Sequence, residues 1–240
     1  MLSLPTLPAN LQANLQALHE RITKAARGAG RDASSVRLLA VSKAFPATVI
    51  AEAARAGQRA FGENYVQEAV DKMDSLAGSA HQPLEWHFIG PIQSNKTRTI
   101  AERFDWVQSV DRLKVAERLA DQRPINLPPL NVLLQVNVSG EATKGGVAPH
   151  ELGELAAAVA RLPKLRLRGV MAIPAPETDV KRQRQAFAMT NALFRQLREQ
   201  GLNVDVLSIG MSDDLEAAIA EGSTMVRVGT AIFGARVKSR

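Results

Sequence analysis

The chain has 240 residues, 45% of them hydrophobic and 22% charged, an ordinary globular balance. It has no cysteine and four scattered histidines, His19, His81, His87 and His150, which excludes disulfides and thiolate chemistry and offers no ligand spacing for a metal. Net charge is +6, but the basic residues are spread over amphipathic segments such as 181–185 (KRQRQ) and 161–168 (RLPKLRLR), and aromatics make up only 4%; no base-stacking platform is visible, so nucleic acid is not expected as a partner, while small anions such as phosphates are compatible with the charge.

No apolar run approaches the roughly 20 residues needed to cross a bilayer. The N-terminus, MLSLPTLPANLQ, lacks the basic and apolar regions of a secretion signal. A soluble, cytoplasmic protein with no membrane partner is expected.

The first predicted element is a helix with Leu11, Leu15, Leu18 and Ile22 at helical spacing, ending near Gly28 and Gly30. Short apolar runs then alternate with helical patterns to the C-terminus. The runs at 37–43 (RLLAVSK), 59–64 (RAFGEN), 85–90 (EWHFIG), 106–110 (WVQSV), 131–138 (NVLLQVNV), 167–173 (LRGVMAI), 204–210 (VDVLSIG) and 225–229 (MVRVG) read as eight strands. Helical patterns fall at 47–57, 65–78, 111–123, 150–162, 181–201 and 213–222. Strand then helix, repeated without a linker, predicts one α/β domain over 1–240: a closed (β/α)8 TIM barrel with an extra N-terminal helix, in the 1–36 segment, packed on it. No helix is predicted after the eighth strand, and the leading helix is expected to cover that gap. An open doubly wound sheet usually carries a glycine-rich turn after strand one, where this chain has SKAFP.

Barrel active groups sit at the C-terminal ends of strands. That places Lys43, Asn64, the 87–91 turn (HFIGP), Asn137, the 171–174 turn (MAIP), Ser208, Ser212, Gly229 and Thr230 on one rim. Partial burial lowers an amine's pKa, and an amine at the mouth beside apolar neighbours such as Ala40 and Val41 can condense with an aldehyde to form a Schiff base. A solvated lysine opening a loop is the alternative that strand position alone does not remove.

In residues 207–234 a strand passes through a small-residue turn, IGMS, to a helix start, and the last strand ends on Gly229 and Thr230. Backbone amides, a hydroxyl and a glycine there suit a phosphate between strands seven and eight. Asp213 and Asp214 put negative charge at the same helix start, where they could serve as caps. By alternation Arg227 points into the barrel with Gly229. Its acceptor is either a neighbouring acid such as Glu63 or the ring nitrogen of a bound cofactor.

The segments 38–46 (LLAVSKAFP), 61–68 (FGENYVQE), 86–96 (WHFIGPIQSNK), 135–146 (QVNVSGEATKGG), 169–174 (GVMAIP) and 208–236 (SIGMSDDLEAAIAEGSTMVRVGTAIFGAR) together resemble the pyridoxal phosphate homeostasis proteins, which are similar to the N-terminal barrel of alanine racemase. The resemblance implies that the cofactor is pyridoxal 5'-phosphate (PLP), held as a Schiff base on Lys43. It further implies that Ser212, Gly229 and Thr230 bind the phosphate, that Arg227 faces the pyridine nitrogen, and that Asn64 forms pocket wall nearby. Ile209 departs from the methionine the family more often has in this turn.

PLP accelerates carbanion chemistry when its ring nitrogen is protonated, and arginine does not give up its proton. Racemases of the related fold compensate with two bases, a lysine and a tyrosine from a second, C-terminal β-domain; this chain ends at residue 240 with no such segment. Its only tyrosine, Tyr65, is expected on a helix surface, and His87 in the core. The expected function is therefore PLP binding, buffering and supply without efficient catalysis, with PLP-dependent apoenzymes as candidate recipients. Lys144, in the loop 142–146 (ATKGG), is either a second amine able to take up the aldehyde or a solvated loop lysine. A PLP-dependent racemase or lyase is the competing reading. A Schiff-base aldolase would need an acid or second lysine on the strand ends, and none is convincing.

Overall fold

The computed structural model describes residues 10–78, 82–141 and 145–234. Eight parallel strands follow one another around a closed barrel: β1 Arg37–Val41, β2 Ala60–Glu63, β3 Glu85–Phe88, β4 Trp106–Val110, β5 Leu130–Val136, β6 Leu165–Ala172, β7 Val206–Ser208 and β8 Met225–Val228. β8 closes onto β1 with Leu39 opposite Arg227 and Ala40 opposite Val228. These strands are covered on both faces, which is why they read as nearly continuous apolar runs rather than alternating ones; β4 is buried at every position. Inward residues Leu39, Ala60, Trp106, Leu133, Met171, Val206 and Met225 fill the barrel, and the outward set packs beneath the helices.

The helices are α1 Leu11–Gly28, α2 Ala47–Arg55, α3 Val66–Leu76, α4 Thr97–Arg103, α5 Leu113–Gln122, α6 Leu152–Val159, α7 Val180–Glu199, α8 Leu215–Ala220 and α9 Thr230–Phe233. α1 buries Leu11, Leu15, Leu18, Ile22 and Ala26, one stripe at helical spacing. It lies across α8 and α9, tied there by Asn14 Nδ2 donating to the Ile232 carbonyl and by the Arg21 guanidinium on Glu216. The seam between the last and first strands is thus covered by the leading helix.

Two expectations need correction. A helix does follow the eighth strand: Gly229 ends the ladder, Thr230–Phe233 forms one turn, and Gly234, at φ 81°, stops it. Four residues are too few to show a helical period, so the turn left no pattern to read. The first strand also ends earlier than its apolar run suggests. β1 stops at Val41, and Lys43 stands two residues beyond it, followed by Ala44 at φ 64°.

Candidate functional site at the C-terminal mouth of the barrel

Lys43, Asn64, Ser212, Arg227, Gly229 and Thr230 line a single cleft of about 220 Å³ at the strand C-termini, walled by Val41, Phe45, Ile89 and Ile173. A larger hollow, about 650 Å³, lies at the other end of the barrel, where β6 and β7 begin. The mouth cleft is small beside the roughly 300–1,000 Å³ of sites for drug-sized ligands, and suits a single-ring compound.

Lys43 is half-buried in its loop, and the peptide groups on either side of it are anchored to one ion-pair cluster. The Ser42 carbonyl accepts from Lys72 Nζ at 2.9 Å, and the Ala44 N–H donates to Glu68 Oε1 at 2.6 Å. Lys72, buried on α3, pairs with Glu63 at 2.8 Å and with Glu68 at 2.5 Å, while Ser42 Oγ donates to Glu63 at 2.6 Å. Burial pushes the Glu63 carboxyl up against the opposing pull of Lys72. Lys72 was not among the residues expected at the site, although a lysine between Ala69, Met73 and Leu76 on the buried stripe of α3 is a signal that could have found it.

Glu63 is therefore not the acceptor of Arg227. That guanidinium, 4% exposed, donates to the Ser208 carbonyl at 2.6 Å, to Ser208 Oγ at 2.7 Å and to the Ala172 carbonyl at 2.8 Å. Burial pushes its pKa down to about 10, a shift that the charge of Asp214 opposes, and it stays protonated at neutral pH. Ser208, expected on the rim, is fully buried inside the barrel as Arg227's partner. It faces inward because it lies two residues from Val206, an interior residue of the same strand.

Ser212 sits in the turn between β7 and α8. Asp214 stabilises this turn by accepting from the Met211 N–H at 2.5 Å, so its side chain closes the turn instead of capping the α8 amides. Asp213 is exposed and lines the cleft. Gly229 precedes α9 and its carbonyl accepts from the Ile232 and Phe233 N–H groups at 3.0 and 2.9 Å, so the amides at the very start of the turn are those of Thr230 and Ala231. A Cβ on Gly229 would stand 3.1 Å from the Val41 carbonyl oxygen, so strands eight and one approach closely beneath the cleft.

Asn64 turns away from β2 against the residues that follow β3. A Cβ on Gly90 would lie 2.3 Å from the Asn64 carbonyl oxygen, so only glycine permits this contact. Asn64 Oδ1 is buried and has no hydrogen-bond partner among the described residues. An orphaned buried acceptor costs about 1–3 kcal/mol, and one beside a cleft marks a place for a ligand's donor.

Of the remaining residues, Asn137 lies outside this cleft, while Tyr65 and His87 take the helix-surface and core places expected of them. Asn137 is engaged in its own loop, with Oδ1 accepting from the Gly140 N–H and Nδ2 donating to the Glu141 carbonyl. Tyr65 is 59% exposed at the start of α3. His87 is fully buried, stacked on Trp106 with ring centroids 5.1 Å apart. Lys144 lies outside the described residues.

Fold and site define a (β/α)8 barrel protein with an amine, a buried guanidinium and two turns carrying Ser212, Gly229 and Thr230 around one small opening. Residues 13–237 match the family model for the alanine racemase N-terminal domain. Within that class, the chain belongs to the pyridoxal phosphate homeostasis protein family. It is 57% identical over 227 residues to the pyridoxal phosphate homeostasis protein of Escherichia coli K12, covering 95% of this chain and 97% of that one. It is 60% identical over 223 residues to its counterpart in Pseudomonas aeruginosa, covering 93% and 94%. The solved structure of PipY from Synechococcus elongatus with PLP bound is 36% identical and superposes with a TM-score of 0.82, covering 93% of this chain and all of that one. Alanine racemase from Corynebacterium glutamicum, 20% identical with a TM-score of 0.66, shares the fold over 94% of this chain and 63% of its own length.

Proposed function

We propose that this chain binds PLP at the mouth of its barrel and acts in cytoplasmic PLP homeostasis, holding and supplying the cofactor rather than turning over a substrate with it. The observation that carries the reading is the convergence of Lys43, Arg227, Asn64 and the Ser212, Gly229 and Thr230 turns on one cleft. The names of the homeostasis-protein relatives and the PLP-bound PipY structure support it.

When bound, PLP supplies an aldehyde that condenses with amines and a ring that withdraws electrons. Lys43 is the amine that holds the aldehyde, with its loop fixed from behind by Lys72. Ser212, the Gly229 and Thr230 backbone and the Thr230 hydroxyl hold the phosphate. Asn64 Oδ1 accepts from the ligand. Arg227 faces the ring nitrogen as a donor that keeps its own proton, which leaves the ring a weak electron sink. Lys43, Asp213 and Arg227 are the ionisable side chains among the described residues lining the cleft. PLP-dependent apoenzymes are the recipients this reading implies.

Incubation with PLP followed by borohydride reduction should add one cofactor mass at Lys43, and Lys43→Ala should take up none. Solvent deuterium should not enter the α-position of a panel of amino acids at enzymatic rates. Incorporation at such rates would replace the carrier reading with that of a PLP-dependent racemase.

A further inference from the structure

A row of polar side chains runs through the barrel interior from the cleft to the opposite face, where barrels of this kind are filled by apolar layers. Arg227 Nη1 donates to Ser208 Oγ at 2.7 Å, and Ser208 Oγ donates to Gln108 Oε1 at 2.7 Å. Gln108 Nε2 lies 2.9 Å from His87 Nδ1, and His87 Nε2 lies 2.7 Å from Glu85 Oε1. Arg37 Nη2 reaches the same carboxylate oxygen at 2.7 Å. Arg227, Ser208, Gln108 and His87 are all buried; Glu85 and Arg37 reach solvent.

Chemistry fixes the direction of every bond in this row. Burial pushes the Glu85 carboxyl up, but His87 and Arg37 outweigh it and hold it below the usual carboxylate range, so it is an acceptor only. His87 must then donate from Nε2. Burial pushes its pKa down, and a neutral imidazole protonated at Nε2 has a bare Nδ1 that only accepts. Gln108 must therefore present its NH2 group to His87, and its second N–H faces Met225 Sδ at 3.2 Å. Its Oε1 is left for the Ser208 proton, which commits the Ser208 lone pairs to Arg227. With the amide reversed, Gln108 Oε1 would oppose a bare Nδ1 and the Ser208 proton would lose its acceptor.

All the donors thus point from Arg227 toward Glu85. A buried guanidinium with no carboxylate in contact needs its charge compensated, and aligned dipoles ending on a carboxylate do this at a distance. Among the described residues three of the guanidinium's five donors are taken up by protein acceptors, and Arg227 lines the cleft.

We propose that Ser208, Gln108, His87 and Glu85 are positioning residues that aim the Arg227 guanidinium into the cleft, so that a carboxylate at the far face of the barrel sets how strongly Arg227 donates to the ring nitrogen of a bound pyridine aldehyde. The ligand's identity rests on the PLP reading above; the row and its effect on Arg227 do not.

The test uses 15N NMR of the cofactor-free protein, then of protein loaded with PLP labelled at the ring nitrogen. His87 should be protonated at Nε2 and bare at Nδ1 at neutral pH. The Arg227 guanidinium resonances should move in both Gln108→Leu and Glu85→Gln. After loading, the ring 15N resonance should shift in the same sense in both variants and PLP affinity should fall severalfold, with borohydride still trapping the cofactor on Lys43. Glu85→Gln is isosteric at a partly exposed position and guards against a misfolded Gln108→Leu. A proton on His87 Nδ1, or unchanged Arg227 resonances in folded Glu85→Gln, would overturn the inference. If wild-type protein took up no PLP, the cofactor reading would fall, and the Arg227 resonances alone would decide the row.

Discussion

Lys43 owes its place to residues outside its own strand. Lys72, Glu63 and Glu68 grip the peptide groups on both sides of it, and Lys72 and Glu63 are among the buried ions of the chain. Removing one partner of a buried pair leaves the other charge uncompensated, at about 3–5 kcal/mol. Lys72→Met should therefore lower stability by that amount in urea denaturation, and the double variant Lys72→Met, Glu63→Gln should recover a large part of it. Equal losses in the single and double variants would show that the pair is not what holds this loop. Lys43 and Arg227 were legible from strand position and alternation. Lys72 was harder to place, because a lysine on a helix is ordinarily solvated and only the fold shows that this one turns inward.

Turns and short helices decide the site at the next scale. The turns after β2 and β3 touch at Gly90, where a side chain would strike the Asn64 backbone. Gly90→Ala should cost about 1–3 kcal/mol through the forced shift, read as a lower melting temperature, and should weaken PLP uptake through displacement of Asn64. A variant with normal stability and weakened uptake would place the whole effect in the Asn64 turn. α1 contributes as a packed stripe: Leu15→Ala, at a fully buried position against α8 and α9, should cost about 2–5 kcal/mol in denaturation. The stripe of α1 and the eight apolar runs were plain in the sequence because each repeats its period several times. The single turns of α9 and the seven residues of α4 were not, because a period cannot be seen in one or two turns.

The whole molecule enters through its protonation balance. His87 is buried as the neutral imidazole, with its pKa pushed below 6.5. The unfolded chain thus binds a proton there that the folded one does not. Its contribution is fully present above about pH 6.5 and is lost as pH falls, by up to about 1.4 kcal/mol per pH unit until the folded pKa is reached. Glu85, whose pKa is lowered from 4.5, acts in a lower window: its contribution is present above about pH 4.5 and is lost below it. Thermal melts between pH 8 and pH 5 should show stability falling with acid, and His87→Phe should flatten that slope while lowering stability at pH 8. An identical slope in both proteins would mean that His87 is not the group responsible.

By itself the sequence determined the order and number of barrel strands, the leading helix and the gathering of Lys43, Ser212, Arg227, Gly229 and Thr230 at the C-terminal mouth of the barrel, because periodicity and turn chemistry act between near neighbours along the chain. Tertiary structure alone decided that Arg227 finds Ser208 and Ala172 rather than Glu63, and that Gln108 joins Ser208, 100 residues away, to His87. Those partnerships depend on which inward residues share a layer once the barrel closes. Closure and register are set by the packing of all eight strands together, which no local pattern records.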